Sequence, residues 1–219
     1  MAINLVKGQK IDLKKSSGDS LTNFCVGVNW GGIEKKGFLG LSKSVKDVDL
    51  DLSCILVNSN KKLSDYLYSP LYREELLQSY GLKKGKLVTL ENALRHTGDD
   101  LAGDKDGDDG LDNEIITVDL TRINPDVQQI FFFLNNAGSE DFSEIPYAKI
   151  RMYEGTPTKV QSEFASYNVS AESQYRGKTS VIMAKLYKND GAWKFAAIGD
   201  PTDDKFLGQT IEKIMKSYL

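Results

Sequence analysis

Val48-Asp49-Leu50-Asp51-Leu52-Ser53-Cys54-Ile55-Leu56-Val57 (VDLDLSCILV) decides how the rest of the chain is read. Val48, Leu50, Leu52, Cys54 and Leu56 recur at every second position, and Asp47, Asp49 and Asp51 occupy the alternate ones. A period of two belongs to a strand, whose side chains point alternately to its two faces. The pattern predicts a half-buried strand with a row of carboxylates along one side.

Working outward, further strands are expected over Asn23–Trp30, Glu114–Leu120, Gln128–Leu134, Tyr147–Tyr153, Thr179–Tyr187 and Ala192–Ile198. Turn residues separate them at Asn124-Pro125, Asn135-Asn136-Ala137-Gly138, Gly155-Thr156-Pro157 and Asn189-Asp190-Gly191, and the last of these reads as a hairpin. Many short strands with few helices predict a mainly β protein, an antiparallel β-sandwich. Two helices are expected. Leu207, Ile211, Ile214, Met215 and Tyr218 form one apolar stripe of a C-terminal amphipathic helix, with Asp203 or Asp204 at its cap. Tyr72–Tyr80 reads as a second, shorter helix in a Tyr- and Leu-rich stretch, Asp65–Gly85. With no repeat, linker or change of composition, residues 1–219 read as a single domain.

A chain of 219 residues, 40% hydrophobic and 27% charged, has the composition of a soluble globular protein. Its formal net charge of -3 provides no basic field for nucleic acid or an anionic membrane. The longest apolar run, Ile130–Leu134, is too short to span a bilayer. The N-terminus lacks the apolar core of a secretory signal. Cys25 and Cys54 fall in apolar strands, as buried reduced thiols would, and this suits a cytoplasm.

The chemistry is concentrated in DDLAGDKDGDDGLDNE, Asp99 to Glu114. Seven aspartates and one glutamate face a single lysine, with three glycines among them. Carboxylates so dense repel one another unless cations neutralise them. Glycine lets the backbone turn tightly enough for carboxylates and carbonyls to converge. Calcium takes six to eight hard oxygen ligands, whereas magnesium keeps waters and needs stricter geometry. No cysteine cluster is near, and there is one histidine, so a soft metal is not indicated. The EF-hand pattern fails in both registers. With Asp104, Asp106 and Asp108 at its first three ligand positions, Asp109 replaces the glycine and Ile115 the closing glutamate. With Gly107 at the glycine position, the loop would begin at Ala102 and close on Asn113. His96 is expected to support the loop by hydrogen bonding, because imidazole is a poor calcium ligand. Trp30 and Trp193 are expected in the core or on a sheet face. One histidine and no GxSxG elbow leave no nucleophilic triad, and no enzymatic activity is expected.

Arg95–Asp109 (RHTGDDLAGDKDGDD) resembles the signature of the TerD family of tellurium-resistance and stress proteins, which runs HTGDN, a Thr/Ala-Gly step, then an acidic stretch closing on GDDE. Other family marks follow in order: Val6–Leu13 (VKGQKIDL), Val26–Trp30 (VGVNW), Val48–Val57, Glu114–Leu120, Ile145–Glu154 (IPYAKIRMYE) and Lys185–Asp200. The resemblance implies a cytoplasmic, calcium-binding β-sandwich linked to tellurite and other stress, acting with other proteins of such a system. It implies ligands for one or two calcium ions at Asp49 and Asp51 on the strand and at Asp99, Asp106, Asp108, Asp109 and Glu114 in the loop. Asp100, where the family usually has Asn, is counted with them. Gly110–Asn113 is inserted before Glu114 relative to the family, and the tyrosines of Asp65–Gly85 are expected to form a subgroup-specific surface. Two other functions stay open: a metal-dependent phosphoester hydrolase using the same carboxylates, and a small-ligand binder.

Overall fold

The computed structural model describes residues 3–4, 7–14, 18–36, 43–169 and 173–219. Val6, the first residue of one family mark, lies outside them. Among the described residues two six-stranded sheets pack face to face. The first runs β1 (Ile3–Asn4), β12 (Lys159–Asn168), β11 (Ala148–Thr156), β3 (Asn23–Trp30), β9 (Glu114–Asp119), β8 (Leu94–His96). The second runs β2 (Lys10–Asp12), β14 (Ala192–Thr202), β13 (Ser180–Asn189), β10 (Val127–Asn136), β6 (Leu50–Asn58), β7 (Leu63–Leu67). All neighbours are antiparallel except β1 and β12. A separate ribbon pairs β4 (Ile33–Lys36) with β5 (Lys43–Lys46). The antiparallel sandwich expected from the period-two segments is the observed fold.

All seven expected strands are present within a few residues of their predicted ends, and β13 and β14 form the expected hairpin. Asp190 (φ 50°) and Gly191 (φ 79°) form its tip, the two positive φ values that a tight hairpin with right-twisted arms requires. β12 was not expected, because Lys159, Gln161, Ser162 and Asn168 are exposed and leave little apolar alternation.

The apolar runs are explained by burial on both faces. Ile130, Phe132 and Leu134 of β10 point into the sandwich with Leu50, Leu52, Cys54 and Leu56 of β6, facing Val26, Val28 and Trp30 of β3. Phe131 and Phe133 point the other way, with Ile55 and Val57, and are covered by α2 (Leu207–Ser217) through Leu207, Ile211 and Ile214. Beside it lie α1 (Glu74–Ser79), through Leu77, and Tyr68. The second sheet is therefore a middle layer. This corrects the half-buried reading of the Val48–Val57 strand: Leu50 to Val57 are all buried. It also corrects the reading of the Asp65–Gly85 tyrosines as a surface. Tyr68 is buried, Tyr66 stacks on it, and Tyr72 and Tyr80 pack edge-on and tilted against Phe206. Phe206, not Asp203 or Asp204, is the N-cap residue of α2. The Gln209 side chain accepts from the Lys205 and Phe206 amides there, while Asp204 accepts from Thr202 and Lys213. Cys25 and Cys54 are buried free thiols, and burial pushes both thiol pKa values up. Trp30 is in the core, and Trp193 packs partly buried against it.

Candidate metal centre

The acidic residues converge at the end of the sandwich where β6 and β9 begin. β7 stops pairing with β6 at Cys54–Leu67, so the next stretch of the β6 edge needs other partners. Side chains from the first sheet supply them. The Leu52 amide donates to Glu114 Oε2 (2.7 Å), and the Leu52 carbonyl lies 3.0 Å from His96 Nε2. Gly98 N–H donates to His96 Nδ1 (3.0 Å), which places the imidazole proton on Nε2, facing the Leu52 carbonyl and, at 3.3 Å, Glu114. His96 thus has the supporting role expected of it. Glu114 is fully buried, and its Oε1 also accepts from the Asp100 amide (3.1 Å).

Around this pair Asp51, Asp99 and Glu114 bring one carboxylate oxygen each to within 4.8 Å of one another. They come from β6, the loop after β8, and the start of β9. Tyr72 Oη donates to Asp51 Oδ2 (2.7 Å), and Ser69 Oγ donates to Asp99 Oδ2. Asp49, one residue before β6, joins Asp51, Asp99, Ser69 and Tyr72 in lining a recess of about 120 Å³. Asp49 Oδ1 and Asp99 Oδ1 are buried and accept no hydrogen bond. Among the described residues no lysine or arginine forms an ion pair with Asp49, Asp51, Asp99 or Glu114.

The electrostatics follow. Burial, then the charge of Glu114, pushes the Asp51 carboxyl well above the usual carboxylate range, with Asp49 and Asp99 adding to it. Burial raises Glu114 as well, against the opposing pull of His96 and the two backbone donors. Asp49 is raised by burial and by the charges of Asp99 and Asp100. Unpaired carboxylates held this way would be stabilised by a hard divalent cation, which takes oxygen donors of this kind.

A second group is built differently. Asp104, Asp108 and Asp109 also converge within 4.8 Å, all from one loop, with Asp108 and Asp109 exposed. Their oxygens are largely engaged. Asp104 accepts from Tyr147 Oη (2.9 Å) and Asn113 Nδ2 (3.1 Å), Asp108 from Asn29 Nδ2 (3.0 Å) and the Gly110 amide (2.7 Å), and Asp109 from the Leu111 amide (2.8 Å). Asp100 lies between the groups. Its Oδ1 accepts from the Ala102 and Gly103 amides, and Asn113 Nδ2 bridges Asp100 to Asp104. Asp106 is exposed and belongs to neither group.

Two close approaches hold the loop down. An ideal Cβ on Gly103 would stand 2.5 Å from the Trp30 indole, whose Nε1 donates to the Val48 carbonyl (2.8 Å). A Cβ on Gly27 would stand 2.0 Å from Asp112 Oδ2, so only glycine admits that carboxylate. Asp112 pairs with Arg151 Nε (2.8 Å), and both side chains are almost wholly buried. Gly110–Asn113 therefore anchors the loop on β3 and β11. Sequence reasoning missed Asp104, Asp112, Ser69 and Tyr72. Asp104 stood within the acidic run, but nothing in the sequence separated it from its neighbours or tied Tyr72 to Asp51.

The chain matches the TerD domain model over residues 1–214. It is 32% identical to stress response protein SCP2 of Bacillus subtilis, over 97% of this chain and 99% of that protein. It is 30% identical to tellurium resistance protein TerZ of Serratia marcescens, over 90% of this chain and 89% of that protein. Among solved structures it is similar to a homologue of telluride resistance protein (TerD) from Streptomyces coelicolor A3(2), with a TM-score of 0.57 at 14% identity, over 84% of this chain and 91% of that one. The sandwich, the acidic loop and the family match over nearly the whole sequence agree: this chain belongs to the TerD family, and these relatives carry the names of tellurium-resistance and stress-response proteins.

Proposed function

We propose that this protein is a cytoplasmic calcium-binding stress protein of the tellurium-resistance type that acts by calcium-dependent binding and not by catalysis. The observation that carries the reading is the inner carboxylate group. Asp51, Asp99 and Glu114 are brought together from three separate segments, with Asp49 beside them and two buried oxygens unpaired. A fold gains nothing by gathering like charges in a buried place unless a cation offsets them. Asp51, Asp99 and Glu114, joined by Asp49, would hold a first calcium, and Asp104, Asp108 and Asp109 a second. Bound calcium supplies charge neutralisation and ties the acidic loop to β6. Asp100 and Asn113 link the two groups, so loading one would stiffen the other. Two buried free cysteines support a cytoplasmic setting. The names of the relatives support a place beside other proteins of a stress system.

Thermal unfolding with and without calcium tests this. A ligand that binds only the folded chain stabilises it by about 2.7 kcal/mol at a hundredfold excess over its Kd. A melting temperature that calcium leaves unmoved would overturn the proposal. Phosphoester turnover with magnesium or manganese that disappears in Asp51→Asn/Asp99→Asn would overturn its non-catalytic part.

A further inference from the structure

Among the described residues both α-helices cover the second sheet, and none is packed on the outer face of the first. On that outer face, register aligns Cys25, Thr117 and Arg95 in one row across β3, β9 and β8, and Asn23 with Asp119 in the next. Arg122, from the 3-10 turn after β9, and Asn92, from the turn before β8, close the sides of a cavity of about 310 Å³. Glu114 opens β9 and Asp119 ends it, so this cavity lies five residues along the strand from the carboxylate centre, roughly 17 Å.

Its polar groups are available. Among the described residues no carboxylate pairs with the exposed guanidinium of Arg95, and that of Arg122 donates only through Nε to the Glu91 carbonyl (3.3 Å). Asp119 does not neutralise either arginine: its Oδ1 accepts from the amide and hydroxyl of Thr121. Asn92 Oδ1 is buried and accepts nothing, although the residue is held at φ 59°. The cavity thus presents two cationic forks for an oxyanion. Beside them stands one acceptor within a ligand's reach, Asp119 Oδ2, which takes no hydrogen bond among the described residues, whereas Asn92 Oδ1 is buried out of reach. An anion carrying hydroxyl groups satisfies both. The volume is at the small end of ligand sites. Phe24 lines the cavity but is buried, so among the described residues no exposed ring is there to stack a nucleobase, which favours a sugar over a nucleotide. We infer that this cavity is a binding site for a small sugar phosphate, with Arg95 and Arg122 on the phosphate and Asp119 on a hydroxyl, and with Asn92 walling one side.

Amide chemical shifts, followed on the full chain during titration with glucose 6-phosphate, inorganic phosphate and glucose, test the assignment. Glucose 6-phosphate should give saturable shifts at Asn92, Arg95, Thr117 and Arg122, inorganic phosphate weaker ones, and glucose none. Arg95→Gln and Arg122→Gln replace exposed side chains, and each should weaken binding about tenfold or more, the loss of a charge-assisted contact. Shifts that do not saturate by about 10 mM, weaker than a specific affinity, would overturn the site. So would shifts that both variants leave unchanged. Inorganic phosphate binding as tightly as the ester would show an adventitious ion only, and would refute the hydroxyl contact.

Discussion

The two carboxylate groups at the acidic end of the sandwich use the same chemistry and solve opposite problems. The outer group, Asp104, Asp108 and Asp109, comes from six consecutive residues, and its own loop amides and nearby Asn and Tyr donors occupy its oxygens. The inner group is assembled from both sheets, is buried, and leaves oxygens unpaired. Local sequence makes the first; tertiary structure makes the second, and only the second holds buried carboxylate oxygens without a hydrogen-bond partner. The inner group is also tied to the far layer of the protein. Tyr72 donates to Asp51 and packs its ring 5.5 Å from that of Phe206, at the start of α2.

The comparison is broken most easily by removing charge. Asp51→Asn/Asp99→Asn keeps shape and hydrogen bonding, and is expected to weaken the tighter calcium event at least about 100-fold, roughly 2.7 kcal/mol. The calcium-induced rise in melting temperature should go with it. Asp108→Asn/Asp109→Asn should leave that rise largely in place.

Truncation gives the next effect. Glu114→Ala strands the buried Leu52 amide and the Asp100 amide, and should destabilise the cation-free fold by about 2–4 kcal/mol in denaturant unfolding. Asp108→Ala, at an exposed position, should stay within about 1 kcal/mol.

Acidity sharpens the contrast further. Asp51 and Glu114 titrate higher in the folded chain than in the unfolded one. Their burial is therefore harmless below the usual carboxylate range, and destabilises the cation-free protein as pH rises from about 4 through the raised values. Calcium must displace the residual protons, so its inner-site affinity should rise with pH across that window. Calorimetry in buffers of different ionisation enthalpy should detect proton release on binding at the acidic end. Proton uptake would contradict the assignment. The smallest change is Tyr72→Phe, which keeps the packing on Phe206 and removes one donor to Asp51. About a fivefold change in calcium affinity is expected, with little change in stability.

The sandwich was legible wherever one face of a strand carried the alternation, as in Asn23–Trp30 and in the Asp190-Gly191 hairpin. The strands of the middle layer were legible too, but not that Leu50–Val57 and Ile130–Leu134 are buried on both faces, since helices far along the chain supply the second cover. The carboxylates of the site were legible as a density of charge. Their division into two groups was not, because the distance between Asp51 and Glu114 is set by how two sheets stack and not by spacing along the chain. Asp106 illustrates the limit: it has the same composition around it as Asp108, and lies outside both groups. Asp112 and Arg151 show another, since a buried ion pair 39 residues apart has no local signal.

The most direct test is a calorimetric calcium titration of three proteins side by side: the natural chain, Asp51→Asn/Asp99→Asn and Asp108→Asn/Asp109→Asn. The inner group is expected to be the tighter site, so the first pair of substitutions should abolish the high-affinity step and the second should preserve it. High-affinity binding that survives in Asp51→Asn/Asp99→Asn and is lost in Asp108→Asn/Asp109→Asn would contradict the assignment of the buried group as the calcium centre.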